Sequence, residues 1–196
     1  MPTGVAYRDV REQLFAAAER VLLRDGPHAL TSRAVTTEAG FAKGVLHRHF
    51  ADFDEFLTEL VFDRIGRLKL ETEQLLSIAG TGTVAENLRE ALRELFGSVA
   101  VAIVSLITFR DDLRARLRAV RSTPGVPVLA EAAVMITSYL AAEQKLRRVK
   151  PDADLQMVAG MLIGTGHLMF ADRDGTPPSD REVERAITAA LAGVLR

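Results

Sequence analysis

Apolar positions recur at spacings of three and four along nearly the whole chain, and no segment alternates apolar with polar residues for long. The first pattern marks helices with one buried face, and the second would mark half-buried strands. An all-α fold is therefore expected. From Val10 to Arg24 the positions Val10, Leu14, Ala17, Ala18, Val21 and Leu22 form one stripe, which Asp25-Gly26-Pro27 ends. A second helix opens at Thr31 or Ser32, whose hydroxyls can accept from free N–H groups, and stops at Gly40. A third covers about Lys43 to His49. A fourth opens at Asp52, carries Asp54 and Glu55 in its first turn, and runs to about Ile78 before Gly80-Thr81-Gly82. Thr83 and Glu86 form a capping box for a fifth helix, expected to continue to about Phe109.

A short charged helix, Asp111 to Val120, precedes the break Ser122-Thr123-Pro124-Gly125-Val126-Pro127. Helices over about Val128–Arg148, Asp152–Asp172 and Asp180–Leu195 complete the chain, giving about nine in all. The organisation expected is a three-helix head over residues 1–52 and a helical bundle over residues 53–196.

The region with chemistry is Thr31 to Phe50. Two short helices are joined through Gly40-Phe41-Ala42, where Gly40 supplies the positive φ of a tight turn. Val35, Ala39, Phe41 and Leu46 form the apolar wedge that sets the crossing angle, and Leu46 and Phe50 are assigned to the core. The second short helix then presents Lys43, Gly44, Val45, His47 and Arg48 outward. A cation and small residues at a helix start let the backbone approach bases and phosphates in a major groove. Thr31, Ser32 and Arg33 at the start of the preceding helix, with His49, complete the candidate DNA-contact set. His49 is open to two readings, a phosphate contact or a ring satisfied inside the turn.

Composition changes this picture little. The 196-residue chain has a net charge of -1, 48% apolar residues, 6% aromatic and no Trp. Residues 31–50 carry Arg33, Lys43 and Arg48 against Glu38, a local excess of +2 that suits a reader relying on geometry. Cysteine is absent, which excludes disulfides, thiol catalysis and Cys-based zinc sites. The uncharged stretch Gly97 to Phe109 is 13 residues long, shorter than the ~20 a bilayer needs, and is expected to be a buried core helix. No signal peptide, membrane association, metal or cofactor is expected, and the setting expected is cytoplasmic. The four histidines show no ligand spacing.

Over Ala17 to Leu57 the sequence resembles the TetR family of bacterial regulators. The residues that carry the resemblance are Ala17-Ala18, Val21-Leu22, Gly26, Leu30-Thr31, Arg33, Val35, Glu38-Ala39-Gly40, Lys43-Gly44, Leu46, His49-Phe50, Asp52 and Glu55, without a gap. His47 stands where the family usually has a phosphate-contacting Tyr, Phe53 where a Lys is common, Ala42 where a Ser or Thr cap is usual, and Thr36 where Ala is usual.

The resemblance implies a homodimer on a palindromic operator of double-stranded DNA, and a small, largely apolar effector held in the C-terminal bundle. Phe96, Ile103, Phe109, Met135, Tyr139, Met161 and His167 are the ligand-binding candidates, with His167 equally readable as core. Two stripes, Leu155-Ala159-Leu162-Gly166-Met169, with Gly160 and Gly164 allowing close helix approach, and Val183-Ile187-Ala190-Leu191-Val194, are expected to make a dimeric four-helix bundle. A repressor released by its ligand is the leading reading, and neither an activator nor a constitutive, ligand-free repressor is separable from it by sequence. The alternative is a helical small-molecule-binding or enzymatic protein whose helix-turn-helix is structural. It lacks a paired His/carboxylate, Ser/His or metal set at useful spacing.

Overall fold

The computed structural model describes residues 4–171 and 176–196, and the side chains from residue 9 onward within them. Its helices are α1 (Gly4–Asp25), α2 (Ser32–Glu38), α3 (Leu46–His49), α4 (Phe53–Ser77), α5 (Val84–Gly97), α6 (Ala100–Phe109), α7 (Asp111–Val120), α8 (Leu129–Lys145), α9 (Leu155–Phe170) and α10 (Asp180–Ala190). A single 3-10 turn, Pro27–Ala29, follows α1. Among the described residues the only β pairing is an isolated antiparallel bridge, Val149 with Leu195. The chain is all-helical, as expected. No single helix among the described residues is long and apolar enough to cross a membrane.

Several expected boundaries move, with α8 ending at Lys145 and α9 starting at Leu155. The fifth helix is two helices, because Ser98 is extended (φ -92°, ψ -169°) and its hydroxyl serves both ends. It donates to the Leu95 carbonyl at 2.6 Å and accepts from the Ala100 N–H at 3.3 Å, closing α5 and opening α6. The third helix is shorter than Lys43–His49: residues 43–45 form a turn, and the regular helix starts at Leu46. The last helix stops at Ala190 rather than Leu195. The chain then turns through Gly193 (φ +76°) and lies beside residues 148–150, where Lys150 N–H donates to Val194 and Arg196 N–H to Arg148. Asp172, the expected end of the eighth helix, lies outside the described residues.

The chain divides into two compact units, residues 1–63 with 102–122, and residues 64–101 with 123–196. The first has Leu14, Ala17, Ala18, Leu22, Leu30, Val35, Leu46, Phe56 and Leu60 fully buried, with Ile103, Leu113 and Leu117 from its second segment. Its aromatic cluster packs Phe50 edge-on to Phe56 at 5.0 Å and Phe15 at 5.6 Å from Phe56.

The second unit packs α8 on α9, and α5 and α10 on α9 and on each other. At one end of α8 a buried polar cluster holds the turn that follows α4. Glu143 accepts from Tyr139 Oη at 2.6 Å and from Gly80 N–H at 3.1 Å, with Arg148 Nε 3.4 Å away. Asn87 donates to Tyr139 Oη at 2.9 Å and to the Thr81 carbonyl at 3.0 Å, and Arg148 donates to Gly82 at 2.6 Å. Burial and the neighbouring carboxylate push the Tyr139 hydroxyl well above its ordinary range.

Much of the two stripes expected to join subunits is core, while Leu155, Met169, Ala190 and Val194 are half-buried. Leu162 is 2% exposed and Ile187 1%, and Ala159, Gly166, Val183 and Leu191 are buried as well. The buried members of these stripes face helices of their own chain. The face of α9 left open carries Met157 (62% exposed), Gly160, Met161 (49%), Gly164 and Leu168 (78%).

Candidate nucleic-acid interface and ligand cavities

The reading head is built from the turn outward. Thr31 caps α2, its hydroxyl accepting from Ala34 N–H at 3.1 Å. Gly40 (φ +72°) closes it: Gly40 N–H donates to Thr37 at 3.1 Å and Phe41 N–H to Thr36 at 2.9 Å, the paired bonds of a Schellman end. The Thr36 hydroxyl, buried where an Ala is usual, turns back onto the Ser32 carbonyl at 2.9 Å, so it leaves no unpaired donor.

Glu38 ties α2 to α1. It accepts from Arg20 Nε and Arg24 Nη1, both at 2.8 Å, and these arginines hold its carboxyl below the usual range. Beneath α3, Arg11 donates to the His49 carbonyl at 3.0 Å and lies 4.3 Å over the Phe50 ring.

With Leu46 and Phe50 buried, Lys43, Gly44, His47 and Arg48 are exposed together, and Val45 is half-buried. Thr31 and Arg33 are exposed at the start of α2, with Ser32 half-buried. His49 differs from its neighbours. Its ring is half-buried, and burial, with Arg11 and Arg48 nearby, pushes its pKa down.

The start of α4 is fixed from a distant part of the chain. Asp52 accepts from Glu55 N–H at 2.6 Å, and Glu55 returns the contact to Ala51 N–H. Arg116 of α7 pairs with Asp52 at 3.2 Å. Arg110 donates to the Leu30 carbonyl at 3.1 Å and stacks over Phe53 at 5.5 Å. Sequence reasoning missed Arg11, Arg110 and Arg116, since no local spacing ties them to partners 38, 80 and 64 residues away.

In the second unit one cavity lies between α4 and α8, and another lies between α4 and α5 and is closed by Met135 of α8. The larger, about 390 Å³, is lined by Ile65, Leu68, Lys69, Thr72 and Glu73 of α4, by Thr123, and by Glu131, Val134 and Met135 of α8. The smaller, about 240 Å³, is lined by Glu71, Gln74, Leu75, Ser77, Ile78, Asn87, Glu90, Ala91, Glu94 and Met135. Of the seven ligand candidates only Met135 lines these cavities. Tyr139 is fully buried in the polar cluster, beside Asn87 of the smaller cavity.

Phe96 is packed against Phe170 at 5.8 Å and His167 at 6.3 Å, all three within the second unit. The His167 Nδ1 is buried without a hydrogen bond among the described residues, and burial pushes its pKa down. Met161 lies on the open face of α9. Ile103 is buried in the first unit, and Phe109 is 64% exposed there, 4.9 Å from His28. Both stand on α6, whose apolar residues run around most of the helix, where periodicity gives no unique face.

The head is a helix-turn-helix, and residues 14–60 match the model of the bacterial regulatory proteins of the tetR family. No curated protein matches the chain by sequence. The fold is that of solved tetR-family regulators. A putative tetR-family transcriptional regulator from Mesorhizobium loti superposes with a TM-score of 0.69 at 17% identity, over 97% of this chain and 98% of that one. The fatty acid degradation regulator FadR from Bacillus halodurans gives 0.67 at 17% identity over 92% and 94%. A gamma-butyrolactone receptor, described as ArpA-like, gives 0.64 at 19% identity over 97% and 90%.

Proposed function

We propose that this chain is a DNA-binding transcriptional regulator, a cytoplasmic homodimer that represses from a palindromic operator and is released by a small lipophilic molecule. The observation that carries the reading is the joint exposure of Lys43, Gly44, His47 and Arg48 beyond the Gly40 turn, within a segment that matches the tetR family. Lys43, Arg48 and His47 supply phosphate and base-edge contacts, and Gly44 lets the backbone come close. Thr31, Ser32 and Arg33 contact the backbone beside them.

The dimer forms on the open face of α9. Met157, Met161 and Leu168 lie at helical spacing around Gly160 and Gly164, whose missing side chains permit a close crossing. A stripe of exposed apolar residues this regular is costly to leave in water. The effector enters between α4 and α8, where Ile65, Leu68, Val134 and Met135 give the larger cavity an apolar wall. The names of two structural relatives, a fatty acid degradation regulator and a gamma-butyrolactone receptor, are consistent with small lipophilic effectors. Helix α4 begins beside the head and continues as a cavity wall, so a ligand that binds one of its positions better shifts the population of DNA-competent heads.

The test is a gel shift with DNA from upstream of the protein's own gene. Specific retention, lost on raising salt and lost in Lys43→Ala, is expected. Absence of any retarded species at micromolar protein in low salt would overturn the reading.

A further inference from the structure

The cavities beside α4 share one wall, the Met135 side chain, which lines both and is itself buried. Methionine is unbranched, with three rotatable torsions, so it can swing aside without moving the helix that bears it. The smaller cavity, about 240 Å³, is below the roughly 300–1,000 Å³ that ligand sites usually span, and the larger, about 390 Å³, lies near the low end. Joined past Met135, they form one elongated chamber of ordinary size.

Their chemistry is graded. The larger cavity has the apolar wall. The smaller has Glu71, Glu90 and Glu94 and no lysine or arginine in its lining. Glu71 is paired with Arg64 at 2.6 Å and Glu90 with Arg89 at 3.1 Å, whereas Glu94 has no ion pair or hydrogen bond among the described residues. In the larger cavity the single cation, Lys69, stands in a lining that also holds Glu73 and Glu131, the latter accepting from the Val128 N–H at 2.8 Å. An anionic head therefore finds no surplus cation in either cavity.

We propose that Met135 is a gate between the two cavities, and that the effector is an elongated amphipathic cation. Its apolar body lies along Ile65, Leu68 and Val134, and its positive head lies at the rim formed by Glu90 and Glu94. Both glutamates are exposed, so the head keeps most of its water while the body is buried, which avoids the large cost of dehydrating a charge. This inference rests on the ligand-sensing reading above.

The experiment uses the full chain and probes below their micellar concentrations: decyltrimethylammonium, hexyltrimethylammonium, decyl sulfate and 1-decanol, each by thermal shift and by release of bound DNA. Decyltrimethylammonium is expected to bind at least tenfold tighter than decyl sulfate and than its hexyl homologue. Glu94→Gln should weaken the decyl cation several-fold and leave 1-decanol unchanged. Met135→Phe, which replaces the pliant thioether with a ring, should abolish the advantage of decyl over hexyl, and Met135→Ile serves if the ring prevents folding. Equal affinity for decyl cation and decyl sulfate, or an undiminished chain-length advantage in both Met135 variants, overturns the proposal. Binding of 1-decanol with no preference for the cation sinks the cationic head and leaves ligand sensing intact. If no probe binds, both fall.

Discussion

Gly166 of α9 lies against the ring of Phe96 from α5 so closely that a Cβ on the glycine would overlap the ring's Cε2. The neighbouring Gly160 and Gly164 have open space at the same position. Three glycines on one helix thus have two separate reasons. Gly166→Ala must displace a buried ring and is expected to cost about 1–3 kcal/mol, outweighing the gain of up to about 1 kcal/mol in helix propensity. A calorimetric scan should show a midpoint several degrees lower, and an unchanged midpoint would contradict the packing.

Self-association should respond to the other face. Met161→Glu and Leu168→Glu are expected to give a folded monomer of about 21 kDa in sedimentation, with unchanged helical circular dichroism. Leu162→Glu, which puts a charge at a buried position, is expected to unfold the chain, because an unpaired buried charge costs several kcal/mol. A dimer persisting in the Met161→Glu, Leu168→Glu double variant would show that the subunits meet elsewhere.

DNA affinity should depend on Lys43 and Arg48 without their contributing to stability. Lys43→Ala is expected to lower affinity roughly tenfold and to reduce the slope of log affinity against log salt by about one, as loss of one phosphate contact requires. Its melting midpoint should match the parent within about 1 °C, since the side chain is exposed. Glu38→Gln should act differently, weakening binding through the loss of the Arg20 and Arg24 ties, with the salt slope retained.

Stability should fall as pH drops below about 6.5. His49 and His167 both have pKa values depressed by burial, so the unfolded chain takes up protons first. Their contribution is complete above the ordinary histidine value of 6.5 and is lost between it and the lower folded values. Denaturant midpoints at pH 7.5, 6.5 and 5.5 should decline, and the decline should be shallower in His167→Gln. The carboxylates of Glu38, Asp52, Glu86 and Glu182 are also depressed, but from 4.5 or below, so their loss follows at more acid pH.

Within the buried polar cluster, Tyr139→Phe leaves Glu143 without its 2.6 Å donor and is expected to cost about 1–3 kcal/mol. Arg148→Ala should cost more, on the order of 3–5 kcal/mol, because it removes the cation beside a fully buried carboxylate. Equal midpoints for the two variants would show that Arg148 contributes little charge compensation.

The helical class and the head were legible because their signals are local. Gly26, Thr31, Gly40, Asp52 and the Thr83–Glu86 box each act within four residues, and each is found where the spacing puts it. The Ser98 break was hidden because a hydroxyl that caps two helices looks like any serine in an apolar run. The subunit stripe was misread for a physical reason: Leu162 and Ile187 are the more continuous apolar face, and continuity marks the core of a chain before it marks an interface. The cavity walls were missed because Ile65, Leu68 and Val134 stand on helices whose apolar positions exceed one face. Periodicity does not say which of those positions border empty space.

The head unit draws on two stretches of chain, residues 1–63 and 102–122, and Arg110 and Arg116 from the second hold Leu30, Phe53 and Asp52 of the first. A gene fragment ending inside α4 therefore encodes a reading head without its braces. Descent by shuffling whole domains is hindered in such a molecule, since no single cut in the gene carries the head away intact. New specificities must arise by point substitution at Lys43, His47 and Arg48, or by exchange of the chain as a whole.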